Sequence, residues 1–219
     1  WGYNTIRDCV QWGAQLQGDE GGGSRHYFYD CVFEKTVRGD PRARYPQDSG
    51  HGFRINGNCQ SLVFEHCEFR HNGGLGFQPG GANVDRLLFV DCVFRGNELA
   101  AISRPCESAR MSFLRCQVSL NRSDQLPPAK PLSLATPKAT FEIRDELEAG
   151  KPVRFRCTST TDRGEIVKRL WDFGEGIPEL AEEPTHTFEK PGEYRVTLVV
   201  WDTEGFGARV EKTIYVALP

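Results

Sequence analysis

A column of ionisable residues recurs in the first half of the chain, with one member immediately before each of a series of cysteines. Its members are Asp8, Asp30, His66, Asp91 and Arg115. If the copies stacked in register, His66 would lie between the carboxylates of Asp30 and Asp91. Such neighbours stabilise a protonated imidazole and suit it to proton transfer, so the column is a candidate catalytic site. The competing interpretation, which the pattern favours, is that these side chains cap the backbone of a corner.

A second set of candidates lies in an insertion, VRGDPRARYPQDSGH, at residues 37–51. Guanidinium groups pair with carboxylates in a bidentate fork, and aromatic rings stack on other planar groups and on sugars. Because long loops commonly carry function, the insertion predicts a binding loop for an acidic polysaccharide or a cell-surface glycan. A solvated charged loop without a ligand is the alternative. The candidate ligand-binding residues are Arg38, Arg42, Arg44, Tyr45 and His51.

The elements that would position these residues are copies of a repeat. LVFEHCEFRHN at 62–72, LLFVDCVFRGN at 87–97 and MSFLRCQVSLN at 111–121 share the pattern F-x-x-C-x-F/V-x-x-N. A fixed period of about 24 residues indicates stacked units that cannot bury their apolar faces alone. Alternating apolar residues with glycine and asparagine at the breaks predict short strands. The cysteines in this register are Cys9, Cys31, Cys67, Cys92 and Cys116.

This pattern, over residues 1–126, resembles the coils of right-handed parallel β-helix proteins of the pectate-lyase-like type. Leucine-rich repeats are the competing solenoid. The resemblance implies about five coils, with apolar residues inside and like residues stacked into ladders, often of asparagine at a corner. Polysaccharide lyases, hydrolases and epimerases share this fold, but the fold alone does not establish activity. We expect the cysteines to be reduced, because neighbouring side chains in a parallel stack point the same way.

The second half of the chain has a different character. Proline and small polar residues predict a linker at 127–137, and regularly spaced strands from 138 to 219 predict a β-sandwich. WDFGEG at 171–176 and HTFEKPGEYRVTLVVWDTEG at 186–205 resemble the polycystic-kidney-disease-type (PKD) domain, an immunoglobulin-like module common in bacterial secreted hydrolases and adhesins. The resemblance implies a spacer or weak binder rather than a catalyst.

Three residues of this half are candidates for chemistry. Trp201 falls out of register with Val200 and could face outward to stack on a sugar, although packing against a neighbouring segment is the commoner role. Asp172 and Asp202 are expected to hold turns together rather than to bind metal. No C-x-x-C spacing or other motif indicates a metal site or a cofactor, and calcium is not indicated by a motif.

Composition limits the functional classes. The formal net charge of −3 over 219 residues gives no support for nucleic-acid binding. No run of about 18 apolar residues predicts a membrane span. The chain begins at Trp1 without a start methionine or signal-like segment, so we expect it to continue into upstream domains of a longer chain.

The sequence therefore predicts an all-β chain, secreted by or displayed on a bacterium, with a β-helix fragment followed by an immunoglobulin-like sandwich. The favoured function is a non-catalytic module that binds carbohydrate or a surface, or serves as a structural stalk. The alternative is the C-terminal part of a polysaccharide lyase or glycoside hydrolase whose main catalytic coils precede residue 1. Lys35 is the only lysine before the linker region, which argues against a complete lysine-based lyase site.

Overall fold

The computed structural model describes residues 5–7, 12–17, 24–39, 41, 49–79, 84–103, 110–126 and 136–219. The chain divides into two compact units, residues 1–133 and 134–219. All the regular elements in the described ranges are strands, so the predicted all-β class is confirmed. Within those ranges there is no helix that is long and apolar enough to cross a membrane.

The first unit consists of three parallel sheets, with strand orders β2-β5-β8, β3-β6-β9-β11 and β1-β4-β7-β10-β12. Successive repeats add strands to these sheets in turn, so that the sheets hold three, four and five strands within the described ranges, and the strands of one repeat are called a coil below. The strands are β1 Thr5–Arg7, β2 Trp12–Gln17, β3 Arg25–Tyr29, β4 Val32–Glu34, β5 His51–Asn56, β6 Cys59–Glu65, β7 Glu68–Arg70, β8 Phe77–Pro79, β9 Val84–Val90, β10 Val93–Arg95, β11 Arg110–Leu114 and β12 Gln117–Ser119.

Ladders of phenylalanine fill the interior of the first unit. Equivalent residues of successive coils stack with their rings nearly parallel, because like positions recur at the spacing of adjacent strands. The ring centroids of Phe64 and Phe89 are 5.2 Å apart, and those of Phe69 and Phe94 are 4.8 Å apart. These four rings are fully buried, so the repeated phenylalanines form the core.

The column before the cysteines forms a sharp corner between two sheets. Asp30, His66, Asp91 and Arg115 all adopt the left-handed conformation, with φ between 50° and 52°. Aspartate and histidine tolerate this region better than most residues. A second left-handed column closes the next corner, and its members are Lys35, His71, Gly96 and Leu120.

The cysteines fit the tight inside of the first corner. Cys31, Cys67 and Cys92 are buried free thiols, and Cys116 is a half-buried free thiol. Each thiol of the last three donates a hydrogen bond to a phenylalanine carbonyl of the preceding coil. These bonds join Cys67 to Phe28 at 3.6 Å, Cys92 to Phe64 at 3.4 Å and Cys116 to Phe89 at 3.4 Å. Cys9 lies outside the described residues.

Asparagines form a hydrogen-bonded ladder inside the second corner. The Nδ2 of Asn72 donates to Oδ1 of Asn97 at 2.9 Å, and the Nδ2 of Asn97 donates to Oδ1 of Asn121 at 2.7 Å. Thr36 continues the ladder, since its hydroxyl donates to Oδ1 of Asn72 at 3.0 Å. Asn72 and Asn97 are buried with their amides paired, so the ladder satisfies polar groups that burial would otherwise penalise.

Glycines make the room that this ladder needs. A Cβ on Gly52 would lie 2.7 Å from Nδ2 of Asn72, and one on Gly76 would lie 3.1 Å from Nδ2 of Asn97 and 2.7 Å from the carbonyl oxygen of Ala101. The GHGF and GLGF segments of the repeat therefore carry glycine where the corner amide packs against the backbone.

The second unit consists of two antiparallel sheets, with strand orders β13-β14-β17 and β16-β15-β18-β19. Trp171, Phe173, Val196, Leu198 and Val200 are buried and form part of its core. The strands are β13 Phe141–Ile143, β14 Pro152–Cys157, β15 Ile166–Asp172, β16 Glu179–Leu180, β17 Thr185–Thr187, β18 Gly192–Asp202 and β19 Gly207–Val216.

Tyr194 is only partly buried and lies at the margin of that core. Its hydroxyl donates to the carbonyl of Lys190 at 2.9 Å. The ring therefore packs against the sandwich while its polar end reaches the surface.

Candidate functional site

The left-handed corner brings the predicted catalytic column together. His66 is 49% exposed, and its Nδ1 lies 3.7 Å from Oδ1 of Asp30. Its Nε2 lies 3.5 Å from Oδ2 of Asp91. The strands on either side hold these residues in register, since β3, β6 and β9 are adjacent and parallel. An imidazole between two carboxylates can hold or pass a proton, and that catalytic role stays a prediction.

Arg115 closes this column with a bidentate ion pair. Its Nε and Nη2 each lie 2.6 Å from an oxygen of the Asp91 carboxylate. The Arg115 guanidinium lowers the pKa of Asp91, and the same hydrogen bonds raise the pKa of Arg115. Asp91 is thus an ionised acceptor at neutral pH rather than an acid that could donate a proton. Asp8, the first predicted member of the column, lies outside the described residues.

The insertion at 37–51 leaves the first unit at the other corner. Strand β4 separates Asp30 from Val37, where the insertion begins, so the described residues do not bring Arg38 beside Asp30 or His66. Arg38 is exposed. Arg42, Arg44 and Tyr45 lie outside the described residues, and their predicted role stays a prediction.

His51 does not lie on the surface where a ligand-binding residue was expected. His51 is only 3% exposed, and its Nδ1 accepts a hydrogen bond from the backbone N–H of Leu75 at 3.0 Å. That bond links two successive coils. The position of His51 as the first residue of β5 explains the burial, and we do not include it in a binding surface.

A group of basic residues next to the second corner was missed by the sequence reasoning. Arg70 and Arg95 are register partners on β7 and β10. Lys35 and His71 occupy the left-handed positions that follow β4 and β7. The signal lies in the repeat, because these residues stand three or four positions after the repeat cysteines, between the aligned phenylalanine and asparagine positions.

Arg70 is the paired member of this group. Its Nε lies 2.7 Å from Oε2 of Glu34, and its Nη1 lies 2.7 Å from Oε2 of Glu68. The hydrogen bond with Glu34 raises the pKa of Arg70. Glu34 is buried, and a buried carboxylate needs such a partner.

In the second unit the three candidate residues, Trp201, Asp172 and Asp202, have structural roles. Trp201 is 1% exposed and the Lys168 ammonium lies 5.1 Å from its ring centroid, so it does not offer an open platform to a sugar. Oδ1 of Asp172 accepts the N–H of Gly174 at 2.9 Å. Oδ1 of the buried Asp202 accepts the N–H of Phe206 at 2.8 Å, so both aspartates hold turns together as expected.

Acidic, histidine and cysteine side chains do not cluster as a metal site would require in the part of the chain that the structure describes. This includes the column at His66, where each ring nitrogen faces one carboxylate and Asp91 is held by Arg115. The geometry of the described residues therefore supports ion pairing within the column.

Comparison with known families identifies the second unit. The family model of the PKD domain matches residues 134–218. Residues 134–218 form a PKD domain. The match begins at the same residue as the second compact unit, and the PKD motifs found in the sequence lie inside it.

The similar proteins match the chain over this PKD domain. A microbial collagenase of Vibrio alginolyticus is 34% identical over 87 residues, which are 39% of this chain and 11% of that protein. The pre-pro-metalloprotease PrtV of Vibrio cholerae serotype O1 is 40% identical over 83 residues, which are 38% of this chain and 9% of that protein. The chain thus spans about a tenth of the length of these curated relatives.

Among solved structures, the PKD1 domain of Vibrio anguillarum Epp is 32% identical to this chain, with a TM-score of 0.35. The alignment covers 38% of this chain and 96% of that domain. These similarities describe the PKD domain, and the first unit rests on its own geometry.

Proposed function

We propose that this chain is a non-catalytic module of an extracellular bacterial protein, in which the first unit is a right-handed parallel β-helix that binds an acidic polysaccharide. The PKD domain would act as a spacer or weak binder. Three parallel sheets, to which successive repeats add adjacent strands within the described ranges, support the β-helix assignment. The stacked phenylalanines and the asparagine ladder support it further, because both need like residues to recur one strand spacing apart.

The observation that carries the non-catalytic assignment is the pairing within the column at His66. Both ring nitrogens of His66 face carboxylates, and Asp91 is clamped by Arg115 in two hydrogen bonds. A general base needs a free lone pair directed at the substrate. The backbone at each of these positions is left-handed, so the column is also explained by its structural role in forming the corner.

The extracellular assignment follows from the PKD domain. The relatives are bacterial, and one is named a pre-pro-metalloprotease, the form of name given to an exported precursor. The present chain would share the module with such proteins and join it to a different first unit. Its place in a longer chain with further domains is part of the proposal.

The acidic-polysaccharide assignment rests on the chemistry of the insertion and its surroundings. Arg38 is exposed at the base of the insertion, and the loop itself carries Arg42, Arg44 and Tyr45. Guanidinium groups recognise carboxylates in a fixed planar fork, which favours uronate-containing chains over neutral ones.

Two measurements on the whole chain test the function. Calorimetric titration with oligogalacturonate, oligoalginate and neutral cello-oligosaccharides should show binding to the acidic chains only, weakening as salt is added. Incubation with the same polymers should release neither new reducing ends nor unsaturated uronates. Release of either product would support the lyase or hydrolase alternative, and a failure to bind any acidic chain would contradict the proposed ligand.

A further inference from the structure

Two adjacent rows of side chains run across the edge of the sheet formed by β4, β7 and β10. Glu34, Arg70 and Arg95 are register partners at the last position of each strand. The next positions form the second row, where the backbone N–H of Lys35 donates to the carbonyl of Arg70 and that of His71 donates to the carbonyl of Arg95. The rows place several cationic groups on one outer surface.

Arg70 and Arg95 stand directly beside one another on neighbouring strands, about 4.8 Å apart at the backbone. Like charges in directly opposite positions destabilise a sheet unless something offsets them. Glu34 and Glu68 offset the charge of Arg70. Arg95 is exposed and, over the described ranges, it has no carboxylate partner, so its guanidinium keeps its donors for another molecule.

Lys35 and His71 extend this surface around the corner. Both side chains are exposed, and neither has a hydrogen-bond or ion-pair partner among the residues that the structure describes. The left-handed Gly96 lies next to the His71 ring, and a Cβ there would come within 2.7 Å of Nδ1. Glycine at this position therefore leaves the imidazole accessible beside Arg95.

The spacing of these groups favours a polymer over a small anion. Lys35 follows β4 and Arg95 ends β10, two strands further on, which separates their backbones by roughly 10 Å. One carboxylate could contact both only if two long side chains folded toward each other. A polysaccharide with carboxylates on successive sugars can contact Lys35 and Arg95 while both side chains remain extended.

We propose that Lys35, His71 and Arg95 form the binding surface for a uronate-containing polysaccharide that crosses strands β4, β7 and β10. This inference rests on the proposed function and names the surface that performs it. Arg38 lies three residues beyond Lys35 along the chain and is also exposed.

The test compares two double variants with the same change in charge. Lys35→Gln/Arg95→Gln removes two cations from the proposed surface. Lys138→Gln/Lys190→Gln removes two exposed cations from the second unit and serves as the matched control. Calorimetry with oligogalacturonate at two salt concentrations should give a roughly ten- to hundred-fold lower association constant for the first variant only. Its affinity should also depend less steeply on salt.

The outcomes separate this inference from the proposed function. Binding by the parent chain that is equally strong in both variants overturns the surface and leaves acidic-glycan binding intact. No binding of any acidic chain by the parent overturns the proposed function together with the surface. A heparin fragment forms the other arm, and binding of heparin without oligogalacturonate overturns the choice of uronate. Melting curves of all three proteins should superimpose, because the substituted side chains are exposed.

Discussion

Asp124 accepts two hydrogen bonds from Asn121, one from its backbone N–H at 2.9 Å and one from its side-chain Nδ2 at 2.8 Å. Asn97 gives the same two donors to Oδ1 of Asn121, at 2.9 Å and 2.7 Å. The carboxylate of Asp124 therefore takes the place that the asparagine of a further coil would occupy. It ends the ladder without leaving the last amide unpaired, although it lies only three residues after Asn121.

Removing this carboxylate should destabilise the first unit. Asp124→Ala leaves both donors of Asn121 without this acceptor, and because the site is exposed we expect a loss of only about 0.5–1 kcal/mol in the free energy of unfolding. Asp124→Asn keeps an acceptor oxygen and should lose less. Denaturant melts of both variants, with the exposed Ser123→Ala as a control, would measure this. Equal stability of Asp124→Ala and Ser123→Ala would show that the cap contributes nothing.

The middle of the ladder should be more sensitive than its end. Asn97 is 1% exposed, and its side chain accepts from Asn72 and donates to both Asn121 and the carbonyl of Phe69. Asn97→Ala should cost about 1–3 kcal/mol, because it leaves buried partners unpaired. The neighbouring exposed Glu98→Ala should have no measurable effect. An unchanged melting temperature for Asn97→Ala would argue against a stabilising ladder.

The repeat made these ladders predictable from the sequence. Identical residue types at a fixed period imply stacking, so the buried Phe64 and Phe89 followed from the spacing, whereas the pairing of Asn72 with Asn97 was implied by the resemblance to β-helix proteins. The aspartate cap did not follow, because Asp124 stands outside the period and its role depends on how the chain turns after Asn121. Periodicity predicts what recurs and gives no information on the residue that ends it.

His51 and Trp201 show a different limit of sequence reasoning. Alternation along β18 puts Trp201 and Val200 on opposite faces of the sheet. It gives no information on whether the face with Trp201 is covered by other residues. In the structure Trp201 is buried. His51 seemed part of an exposed loop because it follows polar and charged residues. His51 is buried because it packs against the next coil, where its ring accepts a hydrogen bond from the N–H of Leu75. Only the stacking of coils brings these two groups together.

Thiol accessibility should follow the position of each cysteine in the stack. Cys31, Cys67 and Cys92 are buried, and burial raises the pKa of the Cys92 thiol, which lowers its thiolate fraction. Titration of the native protein with a thiol reagent should therefore label the half-buried Cys116 before these three. Denaturant should expose all of them. If most thiols of the parent protein reacted before unfolding, and those of Cys67→Ser reacted equally fast, the cysteines would not be buried.

The PKD domain should fold without the first unit. Residues 134–219 contain two complete sheets around a core that includes the fully buried Trp171 and Phe155. A domain with its own core and a preceding linker-like segment can fold alone. Circular dichroism of this fragment should show a β spectrum and a cooperative thermal transition. A disordered spectrum would mean that the domain boundary is misplaced.

The pH dependence of that fragment should report the ion pair between Asp145 and Arg154. Arg154 donates from Nε and Nη2 to the Asp145 carboxylate, at 3.0 Å and 2.8 Å, and its backbone N–H donates as well. The side-chain hydrogen bonds of Arg154 lower the pKa of Asp145 to about 2. Because the folded-state pKa is depressed, the pair stabilises the domain above the ordinary aspartate pKa of about 4. That contribution is lost as the pH falls from about 4 to about 2.

Arg154→Gln should move the titration of Asp145 back toward about 4, and it should remove this part of the acid sensitivity of the fragment. Arg144→Gln breaks the neighbouring pair with Glu142, in which Nη2 lies 2.9 Å from Oε2, and serves as the matched control. Carboxyl-carbon NMR titration gives the pKa of Asp145 directly, and melting temperatures at several pH values give the linkage. An Asp145 titration near 4 in the parent fragment, or an equal shift in both variants, would show that Arg154 does not hold the carboxylate in solution.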